Sequence, residues 1–215
     1  MKRNLVISSI VISTFALSLM GASFPEPPTE QPAQSGAKKA IAVLAGGCFW
    51  GMQGVFEHVK GVTDTTVGYS GGEKKTAEYE KVSTGRTGHA ESIQIAYDPS
   101  VVTYSQLLKI YFSIAHDPTT LNRQHNDEGT QYRSEIFYAD DNQQAIAEKY
   151  IQQLNDAKVF HSRIVTKVEA LKAFYPAEAH HQHYLDRNPT DGYIEYFDLP
   201  MIAQLKKVYP DLYKK

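Results

Sequence analysis

Cys48 is the only cysteine among 215 residues, and its neighbours decide whether it reacts. Gly46 and Gly47 precede it, Phe49 and Trp50 follow it, and Met52, Val55, Phe56 and Val59 recur after it at helical spacing. That pattern puts the thiol at or near a helix N-terminus. There, unpaired backbone N–H groups and the positive end of the macrodipole stabilise thiolate and lower its pKa. The chemistry on offer is nucleophilic attack by sulfur. The competing reading is a buried, inert thiol, because free cysteine is among the most buried residue types. Phe49 and Trp50 are correspondingly either an apolar cup for a small substrate group or plain core.

Glu91 is the second residue out of place. Along residues 91–98 the pattern alternates, with Glu91, Ile93, Ile95 and Tyr97 on one face, so the carboxyl lies on the apolar side of a strand. A buried carboxylate without a cation holds its proton to higher pH, and a neutral carboxylic acid near neutrality is a proton donor. The alternative is a glutamate at a sheet edge reaching water. Two further polar candidates, Asp127 and Tyr132, fall in the inter-element stretch QHNDEGTQYRS, and Tyr79 lies in another loop. With 14 tyrosines in the chain, Tyr79 and Tyr132 carry little weight on composition alone.

These side chains need a scaffold. Residues 40–45 read as a buried strand closed by Gly46 and Gly47. A helix stopped by Gly61 follows, and then a strand over 62–68. Thr103 and Gln106 form a capping box ahead of Leu107, Leu108, Tyr111 and Ile114, in a helix that must end before Pro118. Residues 134–138 read as a strand, 141–155 as a helix burying Ile146, Tyr150, Ile151 and Leu154, and 164–168 as another strand. Leu199, Ile202, Leu205 and Val208 share a helical spacing at the end. The order predicts an α+β two-layer sandwich, a mixed sheet with a ferredoxin-like split βαβ core.

Composition sets the remaining bounds. With 42% hydrophobic and 21% charged residues, the chain has the makings of one folded domain over 39–215, and a formal net charge of −2 gives no basic surface for nucleic acid. A monomer is expected. Lys2 and Arg3, the apolar run Leu5 to Met20 and the small residues Gly21, Ala22 and Ser23 read as a signal peptide over 1–23, with a retained membrane anchor as the alternative. Export, to a periplasm, is the expectation. Pro25, Pro27, Pro28 and Pro32 mark 24–38 as an extended linker without a core.

Seven strings carry a resemblance: GCFWG (47–51), GYSGG (68–72), TGHAE (87–91), YDPS (97–100), HDPT (116–119), GTQYRS (129–134) and FYPAEAHHQHYL (174–185). Together they resemble peptide-methionine sulfoxide reductase of type A over nearly the whole chain after the linker. The resemblance implies reduction of methionine S-sulfoxide, protein-bound or free, in a repair role. It makes Cys48 the nucleophile and Glu91 the acid, gives Tyr79 and Tyr132 the sulfoxide oxygen, Phe49 and Trp50 the S-methyl group, and Asp127 the substrate backbone. Attack would leave Cys48 as a sulfenic acid, with no bound cofactor and an external thiol, small or thioredoxin-like, as reductant. Many members carry a resolving cysteine near the C-terminus; residues 192–215 have none, so the sequence is similar to the branch without it.

Two rivals remain. A cysteine hydrolase would pair Cys48 with His89 or His180. A non-enzymatic periplasmic metal-binding module would use His180, His181 and His183, although the ligand set lacks an evident further member, so no metal is expected.

Overall fold

The computed structural model describes residues 24–30 and 39–215; the predicted signal peptide, 1–23, and residues 31–38 of the predicted linker lie outside them. Strand β1 (Ala40–Ala45) runs through Gly46, Gly47 and Cys48 into helix α1 (Phe49–Glu57), which returns the chain to β2 (Val62–Ser70). A one-turn helix α2 (Tyr79–Val82) then leads to β3 (Ala90–Tyr97), which pairs antiparallel with both β1 and β2 and lies between them. That insertion is the split βαβ unit. Helix α3 (Tyr104–Ile110) follows, continued by a π-helical turn over Tyr111–Ala115, and a two-residue hairpin of β4 (Arg123–Gln124) and β5 (Asp127–Glu128) precedes β6 (Glu135–Tyr138). Strand β6 lies antiparallel on the other side of β1, so β6-β1-β3-β2 is the ferredoxin-like order.

Two strands extend this core into a six-stranded mixed sheet. Helix α4 (Asp141–Asp156) carries the chain to β7 (Lys167–Ala170), parallel to β6, and β8 (Phe174–Pro176) pairs antiparallel with β2. One turn of helix, α5 (Tyr184–Arg187), a π-helical turn over Ile194–Asp198 and α6 (Leu199–Val208) complete the chain. All the long helices share one core with the sheet, in which Leu44, Ile93, Ile95 and Ile136 meet Val55 and Phe56 of α1, Leu107 and Leu108 of α3, and Tyr150 and Leu154 of α4. Each such side chain contributes about 1.5–3 kcal/mol when fully buried. Glu91 has the parity of Ile93 and Ile95 and therefore points to this helix-covered face.

Several expectations change. The strand predicted over 164–168 pairs only from Lys167, because the preceding groups bond elsewhere: Ile164 N–H to Asn155 Oδ1, Val165 N–H to the Pro118 carbonyl, and Thr166 Oγ1 to Ser134 Oγ. Tyr79 begins a helix instead of lying in a loop, and β8 was not anticipated. In α6 only Ile202 and Leu205 of the four periodic residues are buried, while Leu199 and Val208 face solvent. The linker is also partly docked. Phe24 packs edge-on to Phe160 at 6.1 Å, and the carbonyls of Pro25, Glu26 and Pro28 accept hydrogen bonds from Tyr150, Gln153 and Ser105. No helix among the described residues is long and apolar enough to cross a membrane.

Candidate active site

Cys48 is delivered by the end of β1. The last carbonyl of the strand, Ala45, accepts from Tyr111 Oη at 2.7 Å; Tyr111 meets Ser134 Oγ at 2.9 Å, and Ser134 Oγ meets His116 Nε2 at 2.7 Å. Burial lowers the His116 pKa to about 4, so the ring is neutral and donates from Nδ1 to the Tyr111 carbonyl. This network fixes the strand end. Gly47, at φ +96°, then turns the chain so that Cys48 becomes the N-cap residue of α1.

The thiol is half-buried and its side chain makes no capping bond. Burial, then the Glu91 and Asp198 carboxylates, push its pKa well above the ordinary range, against the pull of the Trp50 N–H. This corrects the sequence expectation of a depressed pKa. One backbone amide offers less than the loss of hydration and two nearby carboxylates take away. The resting sulfur is a thiol.

Glu91, only 2% exposed, accepts the Phe49 N–H on Oε2 at 3.1 Å. Burial raises its pKa to about 8, with Asp127 adding to the shift and the Phe49 amide opposing it. It is therefore a largely neutral acid at neutral pH, beside the thiol.

The polar candidates converge on the same place. Glu178 fixes the start of α2 by accepting the Tyr79 N–H on Oε1 and the Tyr69 hydroxyl on Oε2, at 2.9 and 2.8 Å. Tyr132 ends a 3-10 turn held by Arg133, which donates to the Thr130 and Gly88 carbonyls and pairs with buried Glu135 at 2.6 Å. Asp127, at the start of β5, accepts the Tyr193 hydroxyl at 2.5 Å. Burial and then the Glu91 charge lift the Tyr79 phenol to about 12, and the Tyr132 phenol is raised for the same reasons in the same order. Both feel Cys48 and Asp127 as well, so the five groups form one electrostatic cluster.

A thiol at a helix start, a neutral acid beside it and phenols that remain donors are the parts needed to take an oxygen from a polarised acceptor. Known proteins give this arrangement its name. Residues 40–212 match the family model for peptide methionine sulfoxide reductase. The chain belongs to that family. It is 59% identical over 174 residues to the peptide methionine sulfoxide reductase MsrA 2 of Mesorhizobium japonicum, covering 81% of this chain and 89% of the relative. It is 45% identical over 208 residues to the MsrA 2 of Synechocystis, covering 96% and 97%. Among solved structures, reduced Mxr1 from Saccharomyces cerevisiae superposes with a TM-score of 0.67 at 37% identity, covering 74% of this chain and 90% of that one. Methionine sulfoxide reductase A of Corynebacterium diphtheriae gives 0.62 at 36%, covering 77% and 85%.

In this sulfoxide reductase the aromatic surroundings are shared between two ends of the chain. Phe49 is fully buried against Tyr69 and His181, whereas Trp50 is half-buried, stacked on Tyr184 at 3.8 Å and 9°, with Tyr193 edge-on at 6.4 Å. Tyr184, Tyr193, Glu178 and Asp198 are site residues that sequence reasoning did not single out. Tyr184 and Glu178 sit inside the string FYPAEAHHQHYL and were open to inspection there; Asp198, between an apolar run and a proline, gave no signal.

The pairing of Cys48 with His89 does not assemble, and His180, His181 and His183 do not converge as one ligand set. His89 accepts from the Gly72 N–H on Nδ1 and meets the Glu73 carbonyl on Nε2, so both ring nitrogens clamp the GYSGG loop and neither is left as a base for Cys48. His181 is buried among Phe49, Trp50 and Tyr79, while His183 Nδ1 bonds Glu57 at 2.6 Å. Those histidines serve different elements.

Proposed function

We propose that the reductase converts the S epimer of methionine sulfoxide, protein-bound or free, to methionine with Cys48 as nucleophile. The observation that carries this reading is the pairing of the half-buried Cys48 thiol with a neutral Glu91 at the first turn of α1. A sulfoxide presents a positively polarised sulfur and an oxygen that gains negative charge as sulfur attacks. Glu91 supplies the proton, Tyr79 and Tyr132 hydrogen-bond the oxygen, and transfer of the oxygen frees methionine and leaves Cys48 as a sulfenic acid. The Cys48 thiol proton passes to the Glu91 carboxylate, replacing the one it gave, so the sulfenic oxygen carries a single proton and the acid is restored. Trp50 with Phe49 receives the S-methyl group, and Asp127 takes a substrate backbone N–H in place of the Tyr193 hydroxyl.

Cys48 has no second cysteine to form a disulfide with, so an external thiol, small or on a thioredoxin-like protein, restores it, and no bound cofactor enters the scheme. Turnover of each resolved epimer with dithiothreitol tests the reading: the S epimer is consumed and the R epimer is not. Equal turnover of both, or turnover by Cys48→Ser, rejects it. We also infer export, from Lys2, Arg3 and the apolar run to Met20. N-terminal sequencing of the mature protein is expected to start near Phe24, and an intact Met1 on cytoplasmic protein contradicts export.

A further inference from the structure

Asp198 is a buried carboxylate that the scheme above leaves without a role. It closes the π-helical turn Ile194–Asp198 and is 2% exposed. Its Oδ1 lies 2.5 Å from where a Cβ on Gly51 would sit, so the carboxylate rests on the first turn of α1, three residues from the nucleophile. Its Oδ2 is buried with no hydrogen-bond partner among the described residues. Glu91 meets the same turn at Phe49. Two residues correspond to about 200° around a helix, so the carboxyls reach the nucleophile's turn on different sides and from different elements.

We propose that Asp198 is the acid–base residue of the second half-reaction, in which an incoming thiol reduces the Cys48 sulfenic acid. The proposal rests on the reading of Cys48 as the sulfoxide-reducing thiol. The Asp198 carboxylate takes the proton of the incoming R–SH, whose sulfur forms a bond to Cys48 Sγ. The Sγ–O bond breaks with its electron pair on oxygen, which receives the Glu91 proton and leaves as water. A second R–SH attacks the mixed disulfide at the R sulfur. Asp198 returns its proton to the departing Cys48 thiolate, the second thiol's proton goes to Glu91, and RSSR departs. Two thiols are oxidised and Cys48 is reduced by two electrons, with atoms and protons conserved.

Electrostatics support a group able to both take and give a proton. Burial, then Asp127 and Asp191, raise the Asp198 pKa to about 7, and the Asp198 charge in turn pushes Cys48 upward. The groups facing it are Cys48 from α1, Asp127 from β5, and Asp191 and Tyr193 from its own segment; Glu195 of the same turn faces solvent.

The test separates the half-reactions. Wild type, Asp198→Asn and Asp198→Glu receive one equivalent of methionine S-sulfoxide without thiol, and released methionine is measured. Dithiothreitol is then added, and loss of the dimedone-reactive sulfenic acid is followed across pH. The expected result is that Asp198→Asn slows sulfenic-acid loss by at least about tenfold more than it slows methionine release. Its rate relative to wild type also falls further as pH rises through about 7, where Asp198 ionises, and Asp198→Glu restores part of that rise. Equal loss in both half-reactions, or wild-type re-reduction at every pH in Asp198→Asn, overturns the proposal. Failure of wild type to release methionine in the first step overturns the underlying reading instead.

Discussion

The Phe49 backbone N–H donates to Glu91 Oε2 at 3.1 Å, so the first amide of α1 is spent on Glu91, while the next, at Trp50, favours the Cys48 thiolate without a capping bond. The helix N-terminus therefore serves two groups. Neither is ionised at rest, because burial raises both. In the proposed reaction substrate triggers the proton movement, and the acid step draws on a proton that burial keeps on Glu91 at a cost in stability at neutral pH.

That dependence is measurable in Glu91→Gln, which keeps an acceptor for Phe49 and loses the proton. The single-turnover rate should fall by about a hundredfold to ten-thousandfold. Stability should move the other way. Folded Glu91 holds its proton up to about 8 against 4.5 unfolded, so its contribution is complete below 4.5, declines as pH rises towards 8 and is constant above. At neutral pH the wild type has lost roughly 3 kcal/mol through this group, and the variant should recover part of that. Urea unfolding of both proteins at neutral and mildly acidic pH checks it; a stability difference that does not shrink in acid contradicts the argument.

Tyr79 and Tyr132 reach the cluster from different elements, α2 and the turn before β6, and both phenols stay protonated through neutral pH. Removing one oxyanion donor costs an enzyme about a hundredfold to a thousandfold in rate. In the proposed reaction the two share the sulfoxide oxygen, so each single Tyr→Phe variant should lose less than that and the double variant at least about a hundredfold, expressed in kcat more than in KM. Single-turnover methionine release measures it, and a double variant no slower than either single would show that only one phenol faces the oxygen.

Where local chemistry carried the information, the sequence was readable. Thr103 and Gln106 exchange the two capping bonds expected of them, at 2.9 and 3.1 Å, and the alternation along β3 put Glu91 on the buried face. What escaped depends on contacts far apart in the chain. Strand β8 has three residues and exists because β2 offers it an open edge. The position of Asp198 is decided by the packing of α6 on α1, for which helical spacing of Leu199, Ile202, Leu205 and Val208 was no guide, since two of the four face water. The rise of the Cys48 pKa was hidden for the same reason: the sequence displays the helix start but neither the burial of the thiol nor the carboxylates gathered around it.

The network beneath Cys48 should make the fold acid-sensitive. His116 takes a proton at about 4 in the folded protein against 6.5 in the unfolded chain, so it contributes fully above 6.5 and loses that contribution as pH falls towards 4, roughly 3 kcal/mol in all. His116→Gln should be less stable at neutral pH and lose less on acidification. The readout is the urea midpoint across that range, and parallel pH profiles for the two proteins would remove His116 as the cause.

Gly47 carries two constraints that can be separated. At φ +96° an alanine is strained by about 1–2 kcal/mol, and its Cβ would come within 2.6 Å of the Gln124 side chain. Gln124 cannot readily yield, because its amide both accepts from the Asp117 N–H and donates to the Asp117 carbonyl. Overpacking of that kind costs about 1–3 kcal/mol more, so Gly47→Ala should destabilise by about 2–5 kcal/mol and displace Cys48 from the end of α1. Because the Gln124 Cβ as well as its Cγ lies within 2.7 Å of that position, Gln124→Gly in the same chain should relieve the crowding and leave the backbone strain. Unfolding of the two single variants and the double variant gives the coupling directly. Additive losses would mean that no clash exists between the two positions and that the turn is set by backbone conformation alone.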